Sequence, residues 1–212
     1  MNRLDHPRRL FAIALAGLAG FVDAAGFLSA NGYFVSFMSG NTTRLAVDLA
    51  TGIHPAIVPA LLILGFVIGV ASGGVVAGKA GIWRKPAVLT LVSVLLLAGA
   101  VLDASGHNSA AVAALVMAMG ALNNTFQRGG EVAIGLTYMT GALVKMGQGL
   151  AAALLGKPMG NWPSFLALWL GLLGGAVAGA LAWSRWQAGC LWLAVAWAVT
   201  MLVVALKLPA EE

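Results

Sequence analysis

The sequence predicts an all-α integral membrane protein: six transmembrane helices plus two re-entrant or broken segments, arranged as two inverted repeats of three spans each. Three observations lead there. The first is composition, since 60% of the 212 residues are hydrophobic and 9% are charged, against roughly 25% charged in an ordinary soluble chain, and mean hydropathy reaches +0.93. The second is a repeated block of 14 positions, in which Phe37-Met38-Ser39-Gly40-Asn41-Thr42-Thr43-Arg44-Leu45-Ala46-Val47-Asp48-Leu49-Ala50 returns 101 residues later as Tyr138-Met139-Thr140-Gly141-Ala142-Leu143-Val144-Lys145-Met146-Gly147-Gln148-Gly149-Leu150-Ala151. The third is the placement of Lys and Arg, set out below. The apolar runs approach the ~20 residues a helix needs to cross a ~30 Å hydrocarbon core. The alternation that a β-barrel requires is absent.

Eight apolar segments follow in order: Leu10 to Leu28, Tyr33 to Ala50, Pro55 to Gly78, Pro86 to Leu102, Ser109 to Leu122, Val132 to Gly156, Trp162 to Trp183 and Cys190 to Leu206. The first resembles a secretory signal, with Arg3, Arg8 and Arg9 ahead of it. It has a counterpart about 100 residues on, and is therefore expected to stay as a member of the repeat. The first four segments match the last four, giving one membrane domain over 1–212 with repeats at 9–103 and 109–207. Gly20-Phe21-Val22-Asp23 aligns with Gly120-Ala121-Leu122-Asn123. The third segment carries Gly65, Gly69 and Gly73, and the seventh Gly171, Gly175 and Gly179; such small-xxx-small ladders let helix backbones approach closely in lipid.

Charge decides how the segments cross. If all eight span from a cytoplasmic N-terminus, Arg3, Arg8, Arg9, Lys157 and Lys207 lie inside and Lys79, Arg84, Lys85, Arg128 and Arg185 outside, five against five. If segments two and six instead enter and leave on one side, nine lie inside and Arg185 alone outside. The positive-inside rule selects the second arrangement. Both termini are then cytoplasmic, each repeat has an odd number of spans, and the halves are inverted. Segments two and six would bring Ser39-Gly40-Asn41 and Thr140-Gly141-Ala142 together near the midplane, a plan that recurs in secondary transporters and channels.

The candidate site residues come from those breaks and from the charges beside them. Ser39, Gly40, Asn41, Thr140 and Gly141 suit helix starts, which present free N–H groups and a positive dipole end to a solute. Asp23, Arg44, Asp48 and Lys145 are charges within apolar segments, each costing roughly 2.5 to 3.5 kcal/mol at a bilayer centre. Such a cost requires pairing or water, so Asp23 is expected to pair with Arg44 or Lys145, and Arg44 shares a helix face with Asp48. The counterpart of Asp23 is Asn123, which cannot ionise. Protonation of Asp23 would couple transport to protons, or Asp23 would form a fixed structural pair. Asn123 and Asn124, with Gln127, Arg128 and Glu131, make a polar end to segment five, Arg128 and Glu131 reading as a solvated pair.

Other chemistry is not indicated. His6, His54 and His107 are scattered and Cys190 is the single cysteine, so no metal site, cofactor or disulfide is expected. The net charge of +5 comes without a basic cluster long enough for nucleic acid. No catalytic constellation marks an enzyme.

Taken together, Gly20-Phe21-Val22-Asp23-Ala24, Phe37-Met38-Ser39-Gly40-Asn41, Met119-Gly120-Ala121-Leu122-Asn123-Asn124 and Tyr138-Met139-Thr140-Gly141 resemble the YoaK family of bacterial inner-membrane proteins, in the right order and over nearly the whole chain. That family is described as a domain of unknown function and as a candidate small-molecule transporter. The resemblance implies an inner-membrane location and leaves the mechanism to the residues. The expectation is a small secondary transporter for a polar or anionic solute, its partners being that solute or ion and the lipid bilayer. A channel built from the two half-helices is the alternative. A weaker third reading is a structural or assembly protein whose glycine ladders would serve a homo-oligomer.

Overall fold

The computed structural model describes residues 6–128, 131–132, 135–137, 139–158 and 160–208. Arg3 and Tyr138 of the readings above lie outside them, as do the side chains of Arg128 and Glu131. Eight α-helices occupy the described residues, one within each predicted segment: α1 (His6–Ser29), α2 (Met38–Thr51), α3 (Ile53–Ala80), α4 (Arg84–Ala104), α5 (Asn108–Leu122), α6 (Thr140–Leu154), α7 (Trp162–Arg185) and α8 (Gln187–Lys207). A 3-10 turn over Asn123–Thr125 prolongs α5, and a two-residue antiparallel pair joins Gln127–Arg128 to Glu131–Val132.

Length sorts the helices. Among the described residues, four helical stretches are long and apolar enough to cross a membrane: His6–Ser29, Ile53–Ala104, Trp162–Arg185 and Gln187–Lys207. The second has 52 residues, about 78 Å of helix, or more than two bilayer cores. It folds back on itself, because Gly81 takes a φ of +52° and opens a 3-10 turn to Trp83, a conformation that favours glycine. Its arms α3 and α4 pack together. By contrast α2 has 14 residues and α5 and α6 have 15 each, about 21 to 23 Å and short of a ~30 Å core; of the three, α5 is carried on by the 3-10 turn Asn123–Thr125, about 6 Å more. Among the described residues, segments two and six are thus helical only in their later parts.

Packing in one half copies packing in the other. Helix α1 packs on α7 as α5 packs on α3; α2 lies on α3 as α6 lies on α7; α3 meets α4 as α7 meets α8; and α4 meets α5 as α8 meets α1. The register is copied too. A Cβ added to Gly20 would strike the Leu172 carbonyl, and one added to Gly120 would strike that of Phe66. Gly175 similarly abuts the backbone of Gly17 and Gly179 that of Phe21, while Gly69 abuts Met117 and Gly73 abuts Ala121. These contacts advance together along both partners, so α1 runs parallel to α7 and α3 parallel to α5. Phe11, near the start of α1, stacks edge-on at 6.0 Å against Phe126, just past the end of α5. The Lys85 ammonium, at the start of α4, lies 5.4 Å from the same ring.

The core is centred on α1 and α5, where Leu15, Leu18, Val22, Leu115, Met119 and Leu122 are fully buried together with Leu89 and Leu96 of α4. The outer helices show the opposite pattern. Helix α3 exposes Leu61, Leu64, Val67 and Ile68, and α7 exposes Leu170, Leu173 and Val177, a continuous apolar surface of the kind that lipid covers and water does not.

Candidate functional site

The site is built where α1 ends and the chain turns back along it. After Ser29, Asn31 (φ +52°) and Gly32 (φ +81°) reverse the chain, and residues 33–37 return beside α1 without forming helix. Gly26 admits them, since Val35 occupies the space its Cβ would fill. Non-helical backbone inside a membrane protein needs partners for its polar groups, and two side chains supply them. Asp23 Oδ1 accepts the N–H of Val35 at 3.0 Å and of Ser36 at 2.8 Å. Asn41, 0% exposed, accepts the N–H of Phe34 at 3.1 Å and donates to its carbonyl at 2.7 Å.

The second half repeats the device in neutral form. Asn123 is buried and its amide nitrogen donates to the Met119 carbonyl at 3.0 Å and to Thr137 Oγ1 at 3.1 Å, while the Thr137 hydroxyl reaches Asn123 Oδ1 at 3.2 Å. Thr137 stands 101 positions after Ser36 and Asn123 stands 100 after Asp23, so a residue at one place ties the same stretch in each half. The neighbouring Asn124 is also buried; its amide nitrogen donates to Val70 of α3 at 2.9 Å, and its oxygen accepts from Gln127.

The expected pairing of Asp23 with Arg44 or Lys145 is not what forms. Backbone N–H groups of the returning chain lie closer along α1 than either cation, and Asp23 binds those. Arg44 is exposed and lies over the Tyr33 ring, 4.7 Å from its centroid. The Tyr33 hydroxyl reaches Asp48 Oδ2 at 3.5 Å, so Arg44 and Asp48 are linked through a ring rather than in contact. Lys145 is exposed on α6 and makes no ion pair among the described residues.

The helix starts also differ from expectation. Helix α2 begins at Met38 with Phe37 in the capping position, α6 at Thr140 with Met139 there, and neither has a side-chain cap. Asn41 cannot cap because its amide is spent on Phe34. Ser39 is exposed, with its carbonyl taken by the Thr43 hydroxyl at 3.2 Å. Gly40 lets the rings of Phe34 and Phe37 close over the first turn, whereas Thr140 and Gly141 are exposed and Gly141 has open space where a side chain would sit. Each short helix packs on the long one that follows it. A packed α2–α6 pair, which the meeting of the two breaks would require, is not among the helix contacts.

Beside Asp23 a groove of about 290 Å³ opens between α1 and α7, with Gly20, Ala24 and Phe27 on one side, Leu172 and Ala176 on the other, and Phe34 of the returning chain at one end. Among the described residues no group of three His, Cys, Asp or Glu comes together to hold a metal. Sequence reading missed Tyr33, Ser36 and Thr137. Extending the aligned block two residues backward would have found the last two, because Val35-Ser36 matches Leu136-Thr137.

Comparison with known proteins agrees with this architecture. A family model described as protein of unknown function (DUF1275) matches residues 11–205. The UPF0700 transmembrane protein RA0705 of Rhizobium meliloti (strain 1021) is 36% identical over 196 residues, covering 92% of this chain and 85% of that protein. No solved structure matches significantly. YoaK is itself a DUF1275 member, so the resemblance read from the motifs holds. With its long apolar helices and a transmembrane relative that it matches almost end to end, the chain is a multi-pass membrane protein and belongs to the DUF1275 family.

Proposed function

We propose that this protein is a small secondary transporter of a bacterial inner membrane, moving a small polar solute through a path between its two halves. In this reading α1, α3, α4, α5, α7 and α8 span, α2 and α6 are half-helices that return to the face they left, the repeats are inverted, and both termini are cytoplasmic. One observation carries it: helix contacts exchange between the halves in register, while the start of α1 lies at the end of α5. That combination is what an inverted repeat would give and supports this reading, and short helices at matching places in inverted halves are the usual pointer to a transport site. The charge count supports the same orientation, with Arg8, Arg9, Lys79, Arg84 and Lys85 gathered on the inner side.

A channel shares this framework and differs in kinetics. The assembly reading loses its main support, because Gly69, Gly73, Gly175 and Gly179 are filled by the chain's own backbone and are not offered to a second copy. No covalent chemistry is assigned.

The test is solid-supported membrane electrophysiology on proteoliposomes, stepping pH and a panel of organic cations, organic anions, amino acids and inorganic ions, with radiolabelled counterflow run for electroneutral exchange. Saturable, solute-specific flux supports the transporter. Unsaturating conductance moves the assignment to a channel, and absence of both current and counterflow from folded protein overturns transport.

A further inference from the structure

We propose that the groove between α1 and α7 is a binding site for a small organic ammonium ion, held by Asp23 against an aromatic wall. The inference narrows the transported solute from polar to cationic, and so rests on the transport reading for its purpose, though not for binding itself. It starts from the comparison of two copies of one crossing. Leu172, Ala176 and Ala180 on the α7 side of the groove correspond to Phe66, Val70 and Gly74 of α3, by the same offset that aligns the glycine ladders. Ala24 corresponds to Asn124, and Phe27 to Gln127.

In the second half the Asn124 amide crosses to the Val70 carbonyl and its oxygen would lie 3.5 Å from a Cβ at Gly74, with Gln127 bonded behind it. The crossing is closed by polar side chains. In the first half Ala24 leaves that space open, giving the groove of about 290 Å³, close to the lower end of ligand pockets. The opening is a consequence of one small residue in place of an amide, and is not a general feature of the crossing.

Its chemistry is specific. Asp23 is the one ionisable side chain on the groove wall. The N–H groups of Val35 and Ser36 both fall on its Oδ1, which fixes the carboxylate in place. Phe27 and Phe34 stand 4.9 Å apart at 39° beside it, and aromatic rings with a carboxylate are the usual recognition of ammonium groups. Arg44 does not line the groove, and lies over Tyr33, whose hydroxyl reaches Asp48. An anion would meet Asp23 without a countercharge on the wall.

Benzyltrimethylammonium fits the size and chemistry, and its neutral carbon isostere neopentylbenzene has the same shape. Binding of each to the full chain would be measured by equilibrium dialysis in phosphatidylglycerol nanodiscs, with empty nanodiscs subtracted. The expected result is saturable binding of the cation at least ~10-fold tighter than that of the isostere. Asp23→Asn should weaken it by a similar factor, and Ala24→Asn should abolish it while leaving the carboxylate and its backbone bonds intact. Equal binding of cation and isostere overturns the proposal, as does wild-type affinity in a folded Ala24→Asn variant. Loss of probe binding when phosphatidylethanolamine replaces phosphatidylglycerol assigns the groove to a lipid ammonium and overturns the solute. Binding without flux would leave this site standing and sink the transporter; flux of another solute class without binding would do the reverse.

Discussion

Asp23 and Asn123 show what a single position does when the fold repeats it. Each ties a returning stretch to the helix before it, one with a carboxylate accepting two N–H groups and the other through the Thr137 hydroxyl. An asparagine oxygen can accept the same two bonds, so Asp23→Asn should fold and lose no more than about 1 kcal/mol. Asp23→Ala strands the N–H groups of Val35 and Ser36, which are 0% and 5% exposed, and should cost roughly 2 to 5 kcal/mol. Thermal unfolding in detergent distinguishes the two, and equal losses would mean that the charge, not the acceptor, holds the loop. Asn41→Ala, which strands both backbone groups of Phe34, should cost about 2 to 3 kcal/mol by the same measurement. The sequence marked Asn41 through its place in the repeated block and Asp23 as a charge within an apolar segment. It could not show their partners, because those are backbone groups and every residue but proline carries the same ones.

Among the helices, the glycine ladders were legible as packing faces from spacing alone, and their register is now explicit. Gly175→Ala puts a methyl into the backbone of Gly17, and Gly69→Ala does the same at Met117. Both should destabilise by roughly 1 to 3 kcal/mol, since a packed crossing must open to admit the methyl. Gly174→Ala, facing open space, should be neutral or stabilising by up to about 1 kcal/mol through helix propensity. Similar melting temperatures for all three variants would remove close backbone contact as the reason for the ladders. The broken second and sixth segments were legible from their polar residues. The point where each helix starts was not, because Ser39 and Asn41 looked like caps while Phe37 holds the capping position and Asn41 turns away to Phe34.

For the whole molecule, the proposed orientation rests on the distribution of Lys and Arg between segments, because orientation in a bilayer responds to charge near helix ends. The structure supplies a second, independent line through helix direction. Together they predict labelling. In a Cys190→Ala background, a cysteine at Gly81 should resist impermeant maleimide from outside intact cells, and one at Ser105 should react. Reaction at Gly81 would invert the orientation, and protection at both would break the α4 crossing. What the sequence did not carry was the pairing of distant helices: that α1 chooses α7 and α5 chooses α3 depends on the fit of glycines to facing backbone, which emerges only when both surfaces are known.

The two short helices are hung differently from the frame. One residue, Gly52 at φ +155° and ψ +165°, separates α2 from α3. Seven residues, 155 to 161, separate α6 from α7. At its far end α2 is moored by Asp23 and Asn41 together, whereas Ala142 stands where a second mooring for α6 would be. The first half thus holds its short helix by a one-residue joint and two side chains, the second by one side-chain tie at Asn123. Two matched copies are therefore unequal in how they hold their short helices, the first being fastened at more points than the second.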